Sequence, residues 1–254
     1  MSLPVTPSFR LDGRRALVTG AGRGIGLGAA VALARAGAAV TLAARSADAL
    51  EDLAARLAAE GLEAEPLALD VTDVEAARAA IAERGPFRVL VNNAGLNRPG
   101  PMLQAAPEDF DAVMDLNVRA AYFVAQAVLA GMARAGEGGS IVNVSSQMGL
   151  VGGIDRTLYC ASKFAVEGMT RAMAIEAAPH GVRVNTVCPT FVRTPLTEST
   201  FADPERVAWI ESKIELGRVA EIEDLMGPVL FLASDASAMV TGSSLVVDGG
   251  WTAS

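Results

Sequence analysis

Seven short aliphatic or β-branched runs alternate with Ala-rich stretches of helical length from one end of this 254-residue chain to the other. The runs cover residues 16–19, 39–43, 64–69, 89–92, 140–144, 183–187 and 244–247. The helical stretches cover 24–36, 47–60, 73–84, 107–135, 157–179 and 221–233. A strand–helix–strand alternation of this kind implies parallel strands joined by right-handed crossovers, with helices on both faces of the sheet. The runs are apolar nearly throughout, as strands covered on both faces should be. The expected fold class is α/β: a doubly wound parallel sheet of about seven strands. Hydrophobic residues make up 51% of the chain, which suffices for a sizeable core.

No Pro/Ser-rich linker, internal repeat or low-complexity segment interrupts the rhythm, so residues 1–254 are read as one domain. The one break lies at 190–215, where a strand end leads into a polar, Pro-containing stretch, read as a substrate-covering loop with a short helix. The net charge of −8 and the lack of any Lys/Arg run argue against a nucleic-acid partner. No apolar stretch approaches the ~20 residues that cross a bilayer, and residues 1–10 lack the pattern of a signal peptide. Cys160 and Cys188 have neither metal-ligand nor C-x-x-C spacing. Their count allows a disulfide, but buried free thiols in a reducing compartment are the preferred reading. The expectation is a soluble cytoplasmic protein with no metal site, no membrane partner and no nucleic acid.

The first run leads through Thr19-Gly-Ala-Gly-Arg-Gly-Ile-Gly26 directly into a helix. Gly20 permits a tight turn, Gly24 lets backbone approach a pyrophosphate, and Gly26 allows close helix packing. The helix start offers free N–H groups and a positive dipole end. A glycine cluster alone is weak evidence; its place between strand and helix marks a Rossmann-type dinucleotide site. Its spacing is G-x-x-x-G-x-G. The commoner G-x-G-x-x-G/A also matches at Gly24, Gly26 and Ala29, but inside the helix, where it is taken as accidental. Expected contacts from this turn are Gly20, Arg23, Gly24, Ile25 and Gly26. After the second strand, Ala44 stands where NAD enzymes usually carry an acid for the ribose 2′-hydroxyl, and Arg45 follows. Arg45, helped by Arg23, suits a 2′-phosphate, so NADP is preferred over NAD. The plainer alternative is that Arg45 stacks on the adenine or faces solvent.

Tyr159 and Lys163 stand four apart on a helical stretch and share one face. A tyrosine near its usual pKa of about 10 is a poor acid/base at neutrality, and an adjacent cation favours the phenolate. Ser146 ends the fifth strand, where its hydroxyl can hold a substrate oxygen while Tyr159 transfers the proton. Asn117, on the long 107–135 helix, can bind a water linking Lys163 to solvent, or simply join two helices.

Taken together these residues identify a resemblance to the short-chain dehydrogenase/reductase family over nearly the whole chain. Its markers occur in order: the glycine turn, Asp70-Val71, Asn92-Asn93-Ala94-Gly95, Asn117, Ser145-Ser146, Tyr159-x-x-x-Lys163, Pro189, Thr194 and Val247-Asp-Gly-Gly250. Residues 202–205, Trp209 and 231–237 are similar to gluconate 5-dehydrogenase-like members. The resemblance implies that Ser146, Tyr159, Lys163 and Asn117 are catalytic. It implies that Asp70 and Val71 touch the adenine, and that Asn93, Ala94 and Gly95 line the cofactor ribose. Lys163 would also bind the nicotinamide ribose beside Tyr159, and Pro189, Val192 and Thr194 would hold the carboxamide. Thr190 departs from the glycine usual after that proline. A homotetramer is implied as well, consistent with the several apolar faces of the 157–179 helix.

The implied activity is an NAD(P)-dependent oxidoreductase that interconverts a small secondary alcohol (sugar acid, hydroxy acid or polyol) and its ketone. A β-ketoacyl reductase would need a basic patch for an acidic carrier, and none is clear. A non-catalytic dinucleotide sensor has no need to keep Ser146, Tyr159 and Lys163 together. Arg156, three residues before Tyr159, and Arg98, after the Asn92–Gly95 turn, are read as converging on the substrate, with Gln147 beside them. Two such guanidinium groups favour an anionic substrate over a neutral polyol; a local ion pair, such as Arg156 with Asp155, is the alternative. His180 is expected to be an exposed residue at a helix end, without a catalytic role.

Overall fold

A computed structural model describes residues 3–253. Every expected run becomes a strand: β1 Arg15–Thr19, β2 Ala39–Ala44, β3 Ala64–Ala68, β4 Val89–Asn92, β5 Gly139–Val144, β6 Val182–Pro189 and β7 Ser244–Val247. All pair in parallel in the order β3-β2-β1-β4-β5-β6-β7. Side chains alternate strictly across the sheet. Ala16, Val18, Val40, Leu42, Val89 and Val91 pack under helices α1 (Gly24–Arg35) and α2 (Ala47–Ala59) and a late helix, Ile222–Ala233. Leu17, Leu90, Ile141 and Val184 pack on the opposite face under α3 (Val74–Arg84) and the two long central helices. Leu17 and Val18 are both fully buried on opposite faces, which is why the strand sequences are apolar at consecutive positions. The edge strand β3 departs from this, carrying a half-buried Glu65 and an exposed Pro66; a proline that cannot donate to a ladder is tolerated at an edge.

Against the expectation that no apolar stretch approaches membrane-spanning length, the helical run Pro107–Ala135 is long and apolar enough to cross a bilayer by length and composition alone. Its bonding pattern is not uniform. It divides into α4 (Pro107–Met114), a π-helical turn Asp115–Ala120 and α5 (Ala121–Ala135), and α5 buries Val124, Ala125, Val128 and Met132 against the sheet. The expected helix over 107–135 is present, and within it one turn of i→i+5 bonding holds Asn117, a feature that recurs at functional sites. Helix α6 (Thr157–Ala177) carries Tyr159 and Lys163 and ends two residues earlier than expected, in a 3₁₀ turn that leaves His180 exposed.

Between β6 and the last helix, the break in rhythm contains two short helices rather than one, α7 (Glu198–Phe201) and α8 (Pro204–Glu211). Asp203 caps α8, its carboxylate accepting from the Glu205 and Arg206 amides. This segment has a small core of its own: Ile210, Ile214 and Val219, with Phe191, Phe201 and Trp251 against it. The last helix, α9 (Ile222–Ala233), follows and crosses α1 closely; a Cβ on Gly28 would lie 2.3 Å from Ile222 Cγ2.

Candidate active site

The strand order reverses direction between β1 and β4, which opens a crevice beyond their carboxyl ends. Thr19, the last residue of β1, ties the two ends together. Its Oγ1 accepts from the amides of Asn93 (3.0 Å) and Ala94 (3.1 Å), while Asn93 Nδ2 donates back to the carbonyls of Thr19 (3.0 Å) and Gly20 (3.2 Å). The Asn93 side-chain amide therefore braces the glycine turn. Gly20 and Gly24 both take positive φ, +66° and +58°. A Cβ on Gly26 would sit 2.2 Å from the Gly20 carbonyl, so the turn can fold back on α1 only with glycine there. Ile25 is half-buried against the core below the turn. Gly28, which the spacing argument passed over, is the residue that admits α9.

Arg23 and Arg45 flank this turn, both exposed and neither with a carboxylate within salt-bridge range among the described residues. Asp70 Oδ1 accepts from the Thr72 amide (3.0 Å) and hydroxyl (2.7 Å), and these bonds, with Arg45 nearby, hold its carboxyl below the usual range. Val71 is buried beside it. Across the crevice, Thr194 faces the turn: a Cβ on Gly24 would meet its side chain at 3.4 Å. Val192 is buried and Pro189 closes β6.

Ser146 follows β5, 8% exposed, its Oγ accepting from the Met148 amide at 3.1 Å and lying 3.5 Å from the Pro189 carbonyl. Lys163 Nζ lies 5.5 Å from the Tyr159 ring centre and donates to the Val144 carbonyl at 2.8 Å. Burial pushes the Tyr159 hydroxyl up to about 12; a hydrogen bond with Ser146 and the Arg156 guanidinium oppose this. Burial pulls Lys163 down to about 8, against the pull of Cys188 and Glu167. The phenol is thus protonated at neutral pH when nothing else is bound, and the lysine is poised near neutrality.

Asn117 uses its whole side chain inside the protein. Oδ1 accepts from the Leu96 amide (2.8 Å), and Nδ2 donates to the Leu96 carbonyl (2.9 Å) and Ser162 Oγ (3.0 Å). Of the two roles expected of Asn117, the helix-to-helix link is present in its bond to Ser162 of α6, and the same side chain clamps the loop after Gly95. Gly95 sits close by, where a Cβ would meet Asn117 Oδ1 tightly at 3.2 Å.

Of the two arginines expected to converge, only Arg156 is brought in. It is 4% exposed, and among the described residues its guanidinium donates to the neighbouring Asp155 carbonyl. Asp155 takes a left-handed conformation, φ +58°, which turns the chain inward just before α6. Burial lowers the Arg156 pKa, and Arg206 of α8 pushes the same way. Arg98 does not converge: it is 59% exposed and pairs with Asp109 of α4 at 3.4 Å.

Among the described residues, three successive strand-end loops leave buried polar atoms without a hydrogen-bond partner: Asn97 Oδ1 after β4, Ser145 Oγ and Gln147 Oε1 after β5, and Thr190 Oγ1 after β6. Buried polar atoms are almost always satisfied, and these gather at the carboxyl edge of the sheet; Arg88 Nε, at the opposite edge, is left in the same way. Gln147 was expected. Asn97 and the Thr190 hydroxyl were not; Thr190 stood out in sequence only as a residue replacing a glycine.

Residues 20–252 match a family model described as enoyl-(acyl carrier protein) reductase. D-erythrulose reductase from Gallus gallus is 46% identical over 98% of this chain and 99% of its own length. Gluconate 5-dehydrogenase from Gluconobacter oxydans is 41% identical over 97% of each. The chain belongs to the short-chain dehydrogenase/reductase family. Among solved structures, a gluconate 5-dehydrogenase from Burkholderia cenocepacia in complex with NADP and tartrate has a TM-score of 0.94 at 38% identity, covering 97% of this chain and 98% of that one. This short-chain dehydrogenase/reductase thus matches its relatives nearly from end to end, the segment between β6 and α9 included. Its fold and its class, an oxidoreductase acting on CH–OH, are those that the ordered motifs implied.

Proposed function

We propose that the protein is an NADP-dependent oxidoreductase of small sugar-derived substrates, interconverting a secondary alcohol and its ketone, with Tyr159 as the proton donor and acceptor. The observation that carries this reading is Tyr159 set beside both Ser146 and Lys163 at the carboxyl edge of the sheet, next to a glycine turn with no room for a Cβ at Gly26. The cradle fits a dinucleotide: glycine backbone and the α1 N-terminus for the diphosphate, Thr190 and Thr194 for the nicotinamide end, Asp70 and Val71 for the adenine. Arg45 and Arg23, neither in a salt bridge among the described residues, suit a 2′-phosphate, and the B. cenocepacia neighbour binds NADP.

The bound nicotinamide supplies or accepts the hydride. The chain's own residues handle the proton and the oxygen. Ser146 donates to the substrate oxygen and fixes its distance from Tyr159. In reduction the Tyr159 hydroxyl gives its proton to the developing alkoxide; in oxidation the phenolate takes the alcohol proton. A Lys163 ammonium 5.5 Å from the ring centre favours the phenolate, adding to Ser146 and Arg156, which already oppose the burial that raises the tyrosine's pKa. Asn117 holds the Leu96 loop and Ser162 in register with both.

Arg156, buried without a carboxylate, supports a substrate with an anionic end, such as a sugar acid, and Gln147 and Asn97 add uncharged contacts. The relatives include enzymes named for neutral compounds (erythrulose, xylulose, threitol) and for gluconate. Initial rates separate these: D-erythrulose and L-xylulose with NADPH or NADH, and gluconate and D-threitol with NADP⁺ or NAD⁺. The proposal expects NADP(H) to be favoured and gluconate to have the higher kcat/KM of the two alcohols. A preference for NAD(H) removes the role of Arg45; activity on neutral compounds alone removes that of Arg156. Inertness toward every such compound would contradict the reaction class.

Helix α6 presents Phe164, Gly168, Ala172 and Ile175 outward, all exposed, with Ile175 at 76%. That stripe supports assembly through α6 into a homotetramer. Both cysteines are free thiols, which supports a reducing cytoplasmic setting.

A further inference from the structure

Glu167 is a buried charge that the proton-transfer arrangement above does not use. It lies one turn of α6 beyond Lys163 and is 2% exposed. Its Oε2 accepts from Ser244 Oγ at 2.5 Å and its Oε1 from the Cys188 thiol at 3.3 Å, so β7 and β6 each supply one donor. Arg171 approaches Oε2 at 3.9 Å from the solvent side, its own side chain 60% exposed. Gly149 closes the other flank: a Cβ there would lie 3.1 Å from Glu167 Cγ and 3.0 Å from the Lys163 carbonyl. Burying a carboxylate costs more than two neutral donors and one solvated guanidinium return, and an apolar residue of similar size would pack as well.

What Glu167 shares its helix face with is Lys163, four residues away. The ammonium's hydrogen-bond acceptor in the structure is an uncharged one, the Val144 carbonyl. The titratable groups facing it are Tyr159 and Glu167 from its own helix and Cys188 from β6; the end of β5 contributes only Ser145, Ser146 and that carbonyl. Burial holds the Cys188 thiol up at about 12, so it is neutral at working pH. Glu167 is the negative charge that remains.

We propose that Glu167 is a positioning residue for the proton-transfer pair: its carboxylate keeps Lys163 protonated in the interior, and through that charge keeps Tyr159 competent. The sign is fixed by electrostatics. A nearby anion raises a lysine's pKa, burial lowers it, and removing the anion leaves burial less opposed. The consequence for catalysis rests on the reading of Tyr159 and Lys163 given above; the consequence for the lysine itself does not.

The chain has only two lysines, Lys163 and the exposed Lys213. Protein labelled with ¹³C at the lysine ε-carbon therefore gives two NMR signals, and Lys213→Arg assigns them. In Glu167→Gln the titration midpoint of the buried lysine should fall by about one pH unit while Lys213 stays fixed, and Glu167→Asp should keep most of the parent value. The alkaline limb of kcat/KM for ketone reduction should move with it. An unmoved midpoint in a Gln variant that still melts cooperatively would overturn the proposal. Should that variant fail to fold, Arg171→Ala decides from the surface. Removing the guanidinium should raise the midpoint by a few tenths of a pH unit, and no shift or a fall would overturn it. A lysine midpoint that moves while the pH–rate profile does not would count against Tyr159 and Lys163 as the proton-transfer pair, and would leave the electrostatic link intact.

Discussion

The crevice has two walls built from different materials. Between β1 and β4 the wall is backbone: the Gly20 carbonyl lies where a Gly26 Cβ would be, and Asn93 is bonded to the carbonyls beneath the turn. Between β6 and α9 the wall is side chains, a three-residue core roofed by Phe191, Trp209 and Trp251 with ring centres 5.7 and 5.8 Å apart. Backbone packed at that distance admits one sequence solution, which suits a cofactor shared by many enzymes. Aromatic side chains on short helices can be exchanged without disturbing the sheet, which suits a substrate that differs among relatives. Tyr159 and Lys163 stand between the two walls, on a helix anchored to the sheet.

The comparison breaks if the glycine wall tolerates a methyl group. Gly26→Ala should lower NADPH affinity at least a hundredfold and the melting temperature by about 5–10 °C, because overpacking against backbone costs on the order of 1–3 kcal/mol or more. Calorimetry and NADPH fluorescence check this; parent-like binding would show that the contact relaxes freely. Arg45→Ala tests a side chain on the same wall. Losing a charge-assisted bond of about 1.5–3 kcal/mol should raise KM for NADPH roughly 10–100-fold, with NADH changed by no more than about twofold.

On the other wall the effects should be smaller and confined to substrate. Trp209 is 43% exposed and meets Trp251 edge-on, a contact worth about 0.5–1.5 kcal/mol. Trp209→Ala should raise substrate KM about three- to tenfold and leave NADPH affinity unchanged; an equal loss on both would erase the distinction between the walls. The smallest effect is expected where the segment after β6 joins α9. There Arg218 and the Glu221 amide hold the Asp224 carboxyl down to about 2. A depressed carboxyl stabilises the folded state above its unfolded pKa of about 3.9, and that contribution is lost as pH falls toward 2. Asp224→Asn should therefore melt a few degrees lower at pH 7, with the gap closing below about pH 3. The pair is partly solvated, so a large shift would mean that this segment carries more of the stability than its small core suggests.

What the sequence revealed follows the same division. The strand alternation, the glycine turn and the Tyr159–Lys163 spacing were legible because each depends on residues near in sequence and on backbone rules. The π turn at 115–120 was not, since the apolar period runs unbroken through it and the interruption comes from Asn117 reaching Leu96 and Ser162. Arg98 was misread for a similar reason: its partner, Asp109, is delivered by a helix whose placement no local pattern reports. Asn97, Thr190 and Glu167 gain their meaning from burial, which depends on the whole sheet. Arg156 was found because it sits within one turn of a motif that was itself readable.

The account stands on Tyr159 as the group that moves the proton, and Tyr159→Phe tests it with the least disturbance. The variant keeps the ring against Lys163 and removes only the hydroxyl. With NADPH and whichever ketone the parent reduces best, kcat should fall by roughly 10²–10⁴-fold, while the NADPH dissociation constant stays within about threefold. A kcat within a few-fold of the parent, with cofactor still bound, would contradict the assignment at its centre.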